Sequence, residues 1–176
     1  FIGKLLVLGL HKAGKTSLLN VLKNPDSFSP AKKPTLGVNI VRLVLGEMKV
    51  TAYDVGGQKM FRNRWYTSLR KPNGIVFVHD VSDDEKERMK ESEAEFKRLV
   101  KFVEETDYNG PLLVLFNKID KVDLKSAKKK VKKNTQFKKK AFSSKKMPYN
   151  SAFTSAKTGD GVIPAFHWLV SQLGQF

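Results

Sequence analysis

The feature that most narrows what this chain can fold into is one octapeptide, Gly9-Leu-His-Lys-Ala-Gly14-Lys15-Thr16, taken together with its flanks. Before it runs KLLVLG, Lys4 to Gly9, short, apolar and closed by glycine, the pattern of a strand buried on both faces of a parallel sheet. After it, Leu18, Leu19 and Leu22 supply the apolar side of a helix over Thr16 to Leu22, which Asn24-Pro25 ends. The octapeptide is therefore a complete GxxxxGK[ST] in the strand, turn and helix setting the pattern requires. Glycines let backbone N–H groups turn inward around phosphate oxygens, and the helix N-terminus adds a favourable dipole. In that geometry Lys15 neutralises β- and γ-phosphates, and the Thr16 hydroxyl becomes a ligand for Mg²⁺. The bland alternative, a glycine turn followed by a surface lysine, makes the flanking strand and helix a coincidence.

The rest of the chain alternates in the same way. The stretch after Asn24, with Pro25, Pro30 and Pro34 among Ser and Lys, reads as a loop. Strands over Val38 to Leu45 and Met48 to Tyr53 are joined by Gly46-Glu47, a hairpin signal. Phe61, Trp65 and Leu69 predict a helix after Gly57, and Gly74 to Asp80 is another buried strand. Over Asp84 to Glu105, the residues Met89, Phe96, Leu99, Val100 and Val103 share one helical face, with acids on the other. A further buried strand runs from Pro111 to Asn117, and SAFTSAK, Ser151 to Lys157, reads as the last. A closing helix carries Val162, Ala165, Phe166, Leu169, Val170 and Leu173 as its apolar stripe. The expected fold is α/β, a P-loop NTPase fold with a mostly parallel six-stranded sheet, one antiparallel hairpin strand and helices on both faces. At 176 residues, with no repeat or linker, one domain spanning 1–176 is expected.

Three further motifs follow predicted strands. In Asp54-Val-Gly-Gly57-Gln58, the acid at a strand end is suited to holding Mg²⁺ through water, and the glycine pair lets backbone approach a γ-phosphate. In Asn117-Lys118-Ile-Asp120, a carboxylate can accept from both the ring N–H and the exocyclic amine of guanine, which adenine does not offer together. Ser155-Ala156-Lys157 can bring a backbone N–H to the guanine oxygen. Read singly, DxxG is often a mere turn, the Asn and Asp of the second motif could cap a loop, and SAK carries almost no information.

Their order carries more than any one of them. Together with Thr35 in the loop before the hairpin, the four elements occur in the sequence and spacing of Ras-type small GTPases. The phrases PTLGVN, YDVGGQ, FNKID, SAKTGDGV and HWLVSQL resemble the Arf, Arf-like and Sar branch, over essentially the whole chain. The resemblance implies a switch that binds GTP and GDP with Mg²⁺ and hydrolyses GTP. It implies nucleotide contacts from Gly9, His11, Lys12, Ala13, Gly14, Lys15, Thr16 and Ser17, from Thr35 and Gly57, and from Asn117, Lys118, Asp120, Ser155, Ala156 and Lys157. Mg²⁺ would be held by Thr16, Thr35 and, through water, Asp54. Gln58 would orient the attacking water, with Lys15 and Gly57 at the γ-phosphate. Exchange factor, activating protein and effectors would meet the 35–70 switch and interswitch surface, in membrane-traffic or membrane-associated regulation. The chain departs from that branch at His11, where relatives carry aspartate, and at Val38 and Ser68, where aromatic residues are usual; Tyr53 keeps its ring. His11 is expected beside the γ-phosphate, where an adjacent anion would favour its protonation and the added binding of GTP would leave turnover slow, or else to point to solvent with no part in the mechanism. The family's N-terminal amphipathic helix would lie before Phe1, so a membrane anchor is not carried over. His79 and His167 read as strand-edge and helix-surface residues, with no metal cluster.

Charge adds one more feature. Of a formal +16, the segment from Lys121 to Lys146 carries +11, from twelve lysines against Asp123, leaving +5 for the other 150 residues. Within it Leu124, Ala127 and Val131 offer a narrow apolar stripe, which predicts a solvated basic face. Such a face suits an anionic membrane or acidic partner. A nucleic-acid-binding or ribosome-associated GTPase module is the alternative, but only Phe137 and Phe142 interleave the lysines and no arginine does. A scaffold that binds GTP without turnover is a further alternative, against which Gln58 argues. The absence of cysteine fits a reducing compartment, and no apolar run reaches the roughly 20 residues of a membrane span, so a cytoplasmic, at most peripherally membrane-bound protein is expected.

Overall fold

The structure, a computed structural model, describes residues 2–23, 38–55, 72–142 and 146–173. Thr35, the Gly57-Gln58 pair, the proline-containing loop and the helix predicted over Phe61 to Leu69 lie outside the described residues. Strand β1 (Ile2–Gly9) leads into helix α1 (Lys15–Lys23), followed by β2 (Val38–Leu45), β3 (Met48–Val55) and β4 (Gly74–Asp80). Helix α2 (Lys86–Glu105), β5 (Leu112–Asn117), α3 (Leu124–Lys133), β6 (Tyr149–Thr154) and α4 (Val162–Leu173) complete the order. The six strands form one sheet in the order β2-β3-β1-β4-β5-β6, with β2 antiparallel to β3 and every other pair parallel. The expected sheet is therefore the observed one.

Alternation along the strands divides the core. Leu5, Val7, Val76, Val78, Leu113 and Leu115 face α1 and α4, whose Leu18, Leu19, Phe166 and Leu169 are buried against them. Leu6, Leu8, Ile75, Phe77, Val114 and Phe116 face the other way, onto Phe96, Leu99 and Val103 of α2 and Ala127 of α3. Central strands covered on both faces need apolar residues at every position, which is why they read as continuous runs rather than alternating ones. On the second face Phe137 packs 4.9 Å from Phe96 and 6.4 Å from Phe77, so one aromatic cluster pins the lysine-rich segment to the sheet. Asp123 caps α3, its carboxylate accepting from the Ser126 N–H at 3.2 Å and hydroxyl at 2.8 Å.

Three local expectations change. β6 stops at Thr154 and Ser155 to Lys157 form a turn, because the Ser155 N–H donates to the Asp160 carbonyl at 3.0 Å and the Ser155 hydroxyl accepts from Thr158 N–H at 3.1 Å. β3 continues through Asp54 to Val55, paired with β2 and β1, so Asp54 lies inside the ladder. His79 is no strand-edge residue: β4 is an interior strand, and the ring is buried between Phe116 and Phe137. His167 is exposed on α4, as expected.

Candidate functional site

All the described motif residues gather at the C-terminal ends of β1, β3, β5 and β6, where a doubly covered parallel sheet opens its loops. The loop after β1 turns back on itself through Gly9 (φ +149°) and Gly14 (φ +102°). Neither position tolerates a side chain: a Cβ on Gly9 would lie 2.4 Å from the Val78 carbonyl, and one on Gly14 would lie 2.2 Å from Asn117 Nδ2. Lys15, 5 % exposed, donates from Nζ to the carbonyls of Gly9 and Leu10, both at 3.1 Å. Burial pushes its ammonium down to about 8, with Asp54 opposing the shift and Arg88 adding to it. An anion entering the loop would reverse the direction of that shift.

Beside it the Thr16 hydroxyl donates to Asp54 Oδ2 at 2.6 Å. Asp54 is fully buried, and its Oδ1 has no hydrogen-bond partner among the described residues. Burial raises the carboxyl's pKa, while Lys15 and Thr16 pull the other way. A buried carboxylate oxygen without a partner is costly. A hydroxyl and a carboxylate oriented together, with one oxygen unsatisfied, are the hard oxygen donors Mg²⁺ takes, directly or through its waters. The residues present fit that ion.

The loop after β5 is tied to the phosphate loop by its own side chains. Asn117, buried, donates from Nδ2 to the Ala13 carbonyl at 3.0 Å and accepts from the Thr154 hydroxyl at 3.1 Å. Lys118, in the left-handed region at φ 73°, reaches across to the Lys12 carbonyl at 2.6 Å and pairs with Asp80 at 3.0 Å. Asp120 is exposed and accepts from the Ser155 hydroxyl at 2.8 Å, which fixes the carboxylate beside the turn of buried Ser155 and Ala156. Lys157 is exposed at the same turn, and Ser17 is buried at the start of α1. One cradle therefore holds Gly9, Ala13, Gly14, Lys15, Thr16, Asp54, Asn117, Lys118, Asp120 and Ser155 in a connected web, while Thr35, Gly57 and Gln58 lie outside the described residues.

His11 is half-buried in the loop after β1. Its carbonyl accepts from Arg88 Nη2 at 2.6 Å, and Arg88 Nε in turn donates to Asp83 at 2.5 Å. Burial, then Lys12, Arg88, Lys15 and Lys118, holds the imidazole below its ordinary pKa, so the chain's own cations work against the protonation that a phosphate would favour. Sequence reasoning did not single out Arg88, Asp80, Thr154 or Ser92, whose partners lie far away in the chain. For Asp80 a signal existed, since it ends a buried parallel strand as Asp54 and Asn117 nearly do; for the others no local pattern distinguishes them.

With this geometry in hand, the sequence profile of the ADP-ribosylation factor family matches residues 2–173. The chain belongs to the ADP-ribosylation factor family. It is 32% identical over 180 residues to ADP-ribosylation factor-like protein 3 of Saccharomyces cerevisiae, covering 96% of this chain and 84% of the relative. It is 39% identical over 119 residues to ADP-ribosylation factor-like protein 8b of Arabidopsis thaliana, covering 67% of this chain. That alignment spans 61% of the Arabidopsis protein's length. Among solved structures, the Arl6 BBS3 small GTPase from Trypanosoma brucei with bound nucleotide analogue GppNp superposes with a TM-score of 0.77 at 23% identity, covering 99% of both chains, which shows the same fold.

Proposed function

We propose that this protein is a guanine-nucleotide switch, one domain that binds GTP and GDP with Mg²⁺ and hydrolyses GTP to GDP and phosphate. The observation that carries the reading is the joining of the phosphate loop to the base-selecting loop by Asn117 Nδ2 on Ala13 and Lys118 Nζ on Lys12. In a nucleotide the ribose tethers the phosphates to the base within a limited range of distances, and loops braced against one another hold the two subsites at one separation within it. In this reading Lys15 leaves the Gly9 and Leu10 carbonyls for the β- and γ-phosphates, and backbone N–H groups of residues 12 to 17 line the phosphates. Asp120, set by Ser155, accepts from guanine, and a backbone N–H near Ala156 meets its oxygen. Thr16, Thr35 and Asp54 would hold Mg²⁺, which neutralises charge developing on the phosphate oxygens. Gln58 would orient water and Gly57 contact the γ-phosphate. Regulators and effectors would read residues 35–70, and the setting would be cytoplasmic or peripheral to a membrane, as in the family's traffic roles.

Competition of GTP, GDP and ATP for the protein, repeated with Asp120→Asn, tests the assignment. Guanine nucleotides should win over ATP by on the order of 10⁴-fold, because adenine leaves the carboxylate unmatched. Asp120→Asn should shift preference towards xanthine nucleotides. Equal affinity for ATP and GTP overturns the reading.

A further inference from the structure

The nucleotide reading leaves the lysine-rich segment without a role. Helix α3 turns Ala127 into the core and half buries Val131, whereas Lys125, Lys128, Lys129, Lys132 and Lys133 are all exposed. At 3.6 residues per turn these five fall within an arc of roughly 140° opposite Ala127, on a helix about 15 Å long. Lys125 and Lys129, Lys128 and Lys132, and Lys129 and Lys133 are like charges four residues apart, and each such pair works against the helix. Internal compensation is small. Among the described residues Lys130 forms an ion pair with Asp84 at 3.1 Å, Lys128 lies 5.8 Å from the centre of the Phe153 ring, and the only acid in the helix or its cap is Asp123. Exposed Lys121, Lys139 and Lys146 extend the same charge beyond both ends of α3.

We propose that the exposed face of α3 docks on the surface of an anionic phospholipid bilayer. The face has the charge complementarity for it, and its chemistry selects against the other anionic partners. All twelve basic residues of the segment are lysine. Lysine is a point charge suited to diffuse, mobile headgroups, and it lacks the planar fork with which arginine makes bidentate, geometry-specific contacts to bases and phosphopeptides. Stacking on bases needs exposed rings, and Phe137 is buried at 4 % exposure in the aromatic cluster. A protein partner needs apolar anchors at the centre of its interface, and among the described residues this arc offers none, since Leu124, 38 % exposed, lies outside it on the side of Ala127 and Val131. Four to eight lysines on one side of an amphipathic helix are the pattern that anionic leaflets attract. This inference does not rest on the nucleotide assignment.

Sedimentation of the whole chain with vesicles of phosphatidylcholine, alone or with phosphatidylserine, at physiological and raised salt, tests the proposal. Two variants of equal net charge decide it: Lys125, Lys129, Lys132 and Lys133→Gln together in α3, and Lys86, Lys90, Lys97 and Lys101→Gln together in α2, all exposed. The wild type should bind only phosphatidylserine vesicles and release at raised salt. Each lysine near such a surface contributes about fivefold in affinity, so the α3 variant should lose roughly a hundredfold or more and the α2 variant about twofold or less. Glutamine keeps the helix propensity of lysine. Helicity and nucleotide affinity measured on the same α3 variant should match the wild type, and Lys129→Gln with Lys133→Gln serves if the fourfold variant does not fold. Equal loss in the two fourfold variants, binding without phosphatidylserine, or no vesicle binding by the wild type overturns the proposal. So does tighter binding of a labelled single-stranded RNA than of phosphatidylserine vesicles, which would promote the nucleic-acid alternative.

Discussion

Lys15 and Lys129 carry the same ammonium, but the chain uses them in opposite ways. Lys15 is 5 % exposed and fixed by two carbonyls of its own loop, in a web that runs through Asn117 to Thr154 and through Lys118 to Asp80. Lys129 stands in solvent on a helix whose lysines repel one another. In the first region geometry is over-determined, so any single change propagates to the partner loop. In the second, charges act through a field, so their contributions add and no one residue is decisive. Specific recognition of one small anion needs the former arrangement. Attraction to an extended anionic surface needs only the latter.

The largest expected effect is at the junction of the two loops of the cradle. Gly14→Ala would place a methyl 2.2 Å from Asn117 Nδ2 at a backbone angle of φ +102°, so the Asn117 amide would have to give up its bond to the Ala13 carbonyl and the backbone at residue 14 would be strained. A loss of on the order of 4 kcal/mol, about a thousandfold in GDP affinity, is expected by fluorescent nucleotide titration. Lys129→Ala should leave the same affinity within about twofold, as a solvated charge should. Similar losses in the two variants would erase the contrast between the regions.

A smaller effect comes from His79, which lies behind the phosphate loop with Nδ1 2.7 Å from the Ser92 hydroxyl. Burial pushes the imidazole down to about 4 from 6.5, with Asp80 and Asp83 opposing and Lys130 assisting. The unfolded chain therefore takes up the proton first. Stability is intact above about pH 6.5 and should fall by up to about 3 kcal/mol as the pH drops towards 4. Urea denaturation from pH 7 to 4 measures this, and His79→Asn should flatten that part of the profile. An unchanged slope in the variant would assign acid sensitivity to other groups.

The smallest effect should be of opposite sign. Replacing Lys125, Lys129, Lys132 and Lys133 by Gln removes three like-charged pairs four residues apart, and should raise stability by about 1 kcal/mol or less at low salt, fading as salt increases. Thermal unfolding at two ionic strengths reads the difference. A decrease in stability would mean that these lysines have partners within the fold and that the two regions are less different than their geometry indicates.

The sequence by itself determined the order of the six strands and of α1, α2 and α4, the sheet type and which residues gather in the cradle. These depend on short-range patterns: apolar runs for doubly covered strands, glycines where φ must be positive, and an N-terminal helix turn after Gly14-Lys15. That Lys15, Thr16, Asp54, Asn117 and Asp120 would gather was legible because each lies at or just beyond the C-terminal end of a strand, and parallel strands end on the same side. Tertiary structure alone decided who holds whom. That Arg88 grips the His11 carbonyl from 77 residues away, that Thr154 satisfies Asn117, and that His79 sits in the interior of the sheet follow from strand order and packing, which no local spacing encodes. The end of the last strand also belonged to the fold: SAFTSAK holds no glycine or proline to stop a strand, and the Asp160 carbonyl, brought back by the following turn, takes the Ser155 N–H out of the ladder. The lysine-rich segment shows the same division. Its composition dictated a basic surface, but the burial of Ala127 and Phe137 fixed which side of α3 faces the solvent, and so gathered five separate lysines into one face.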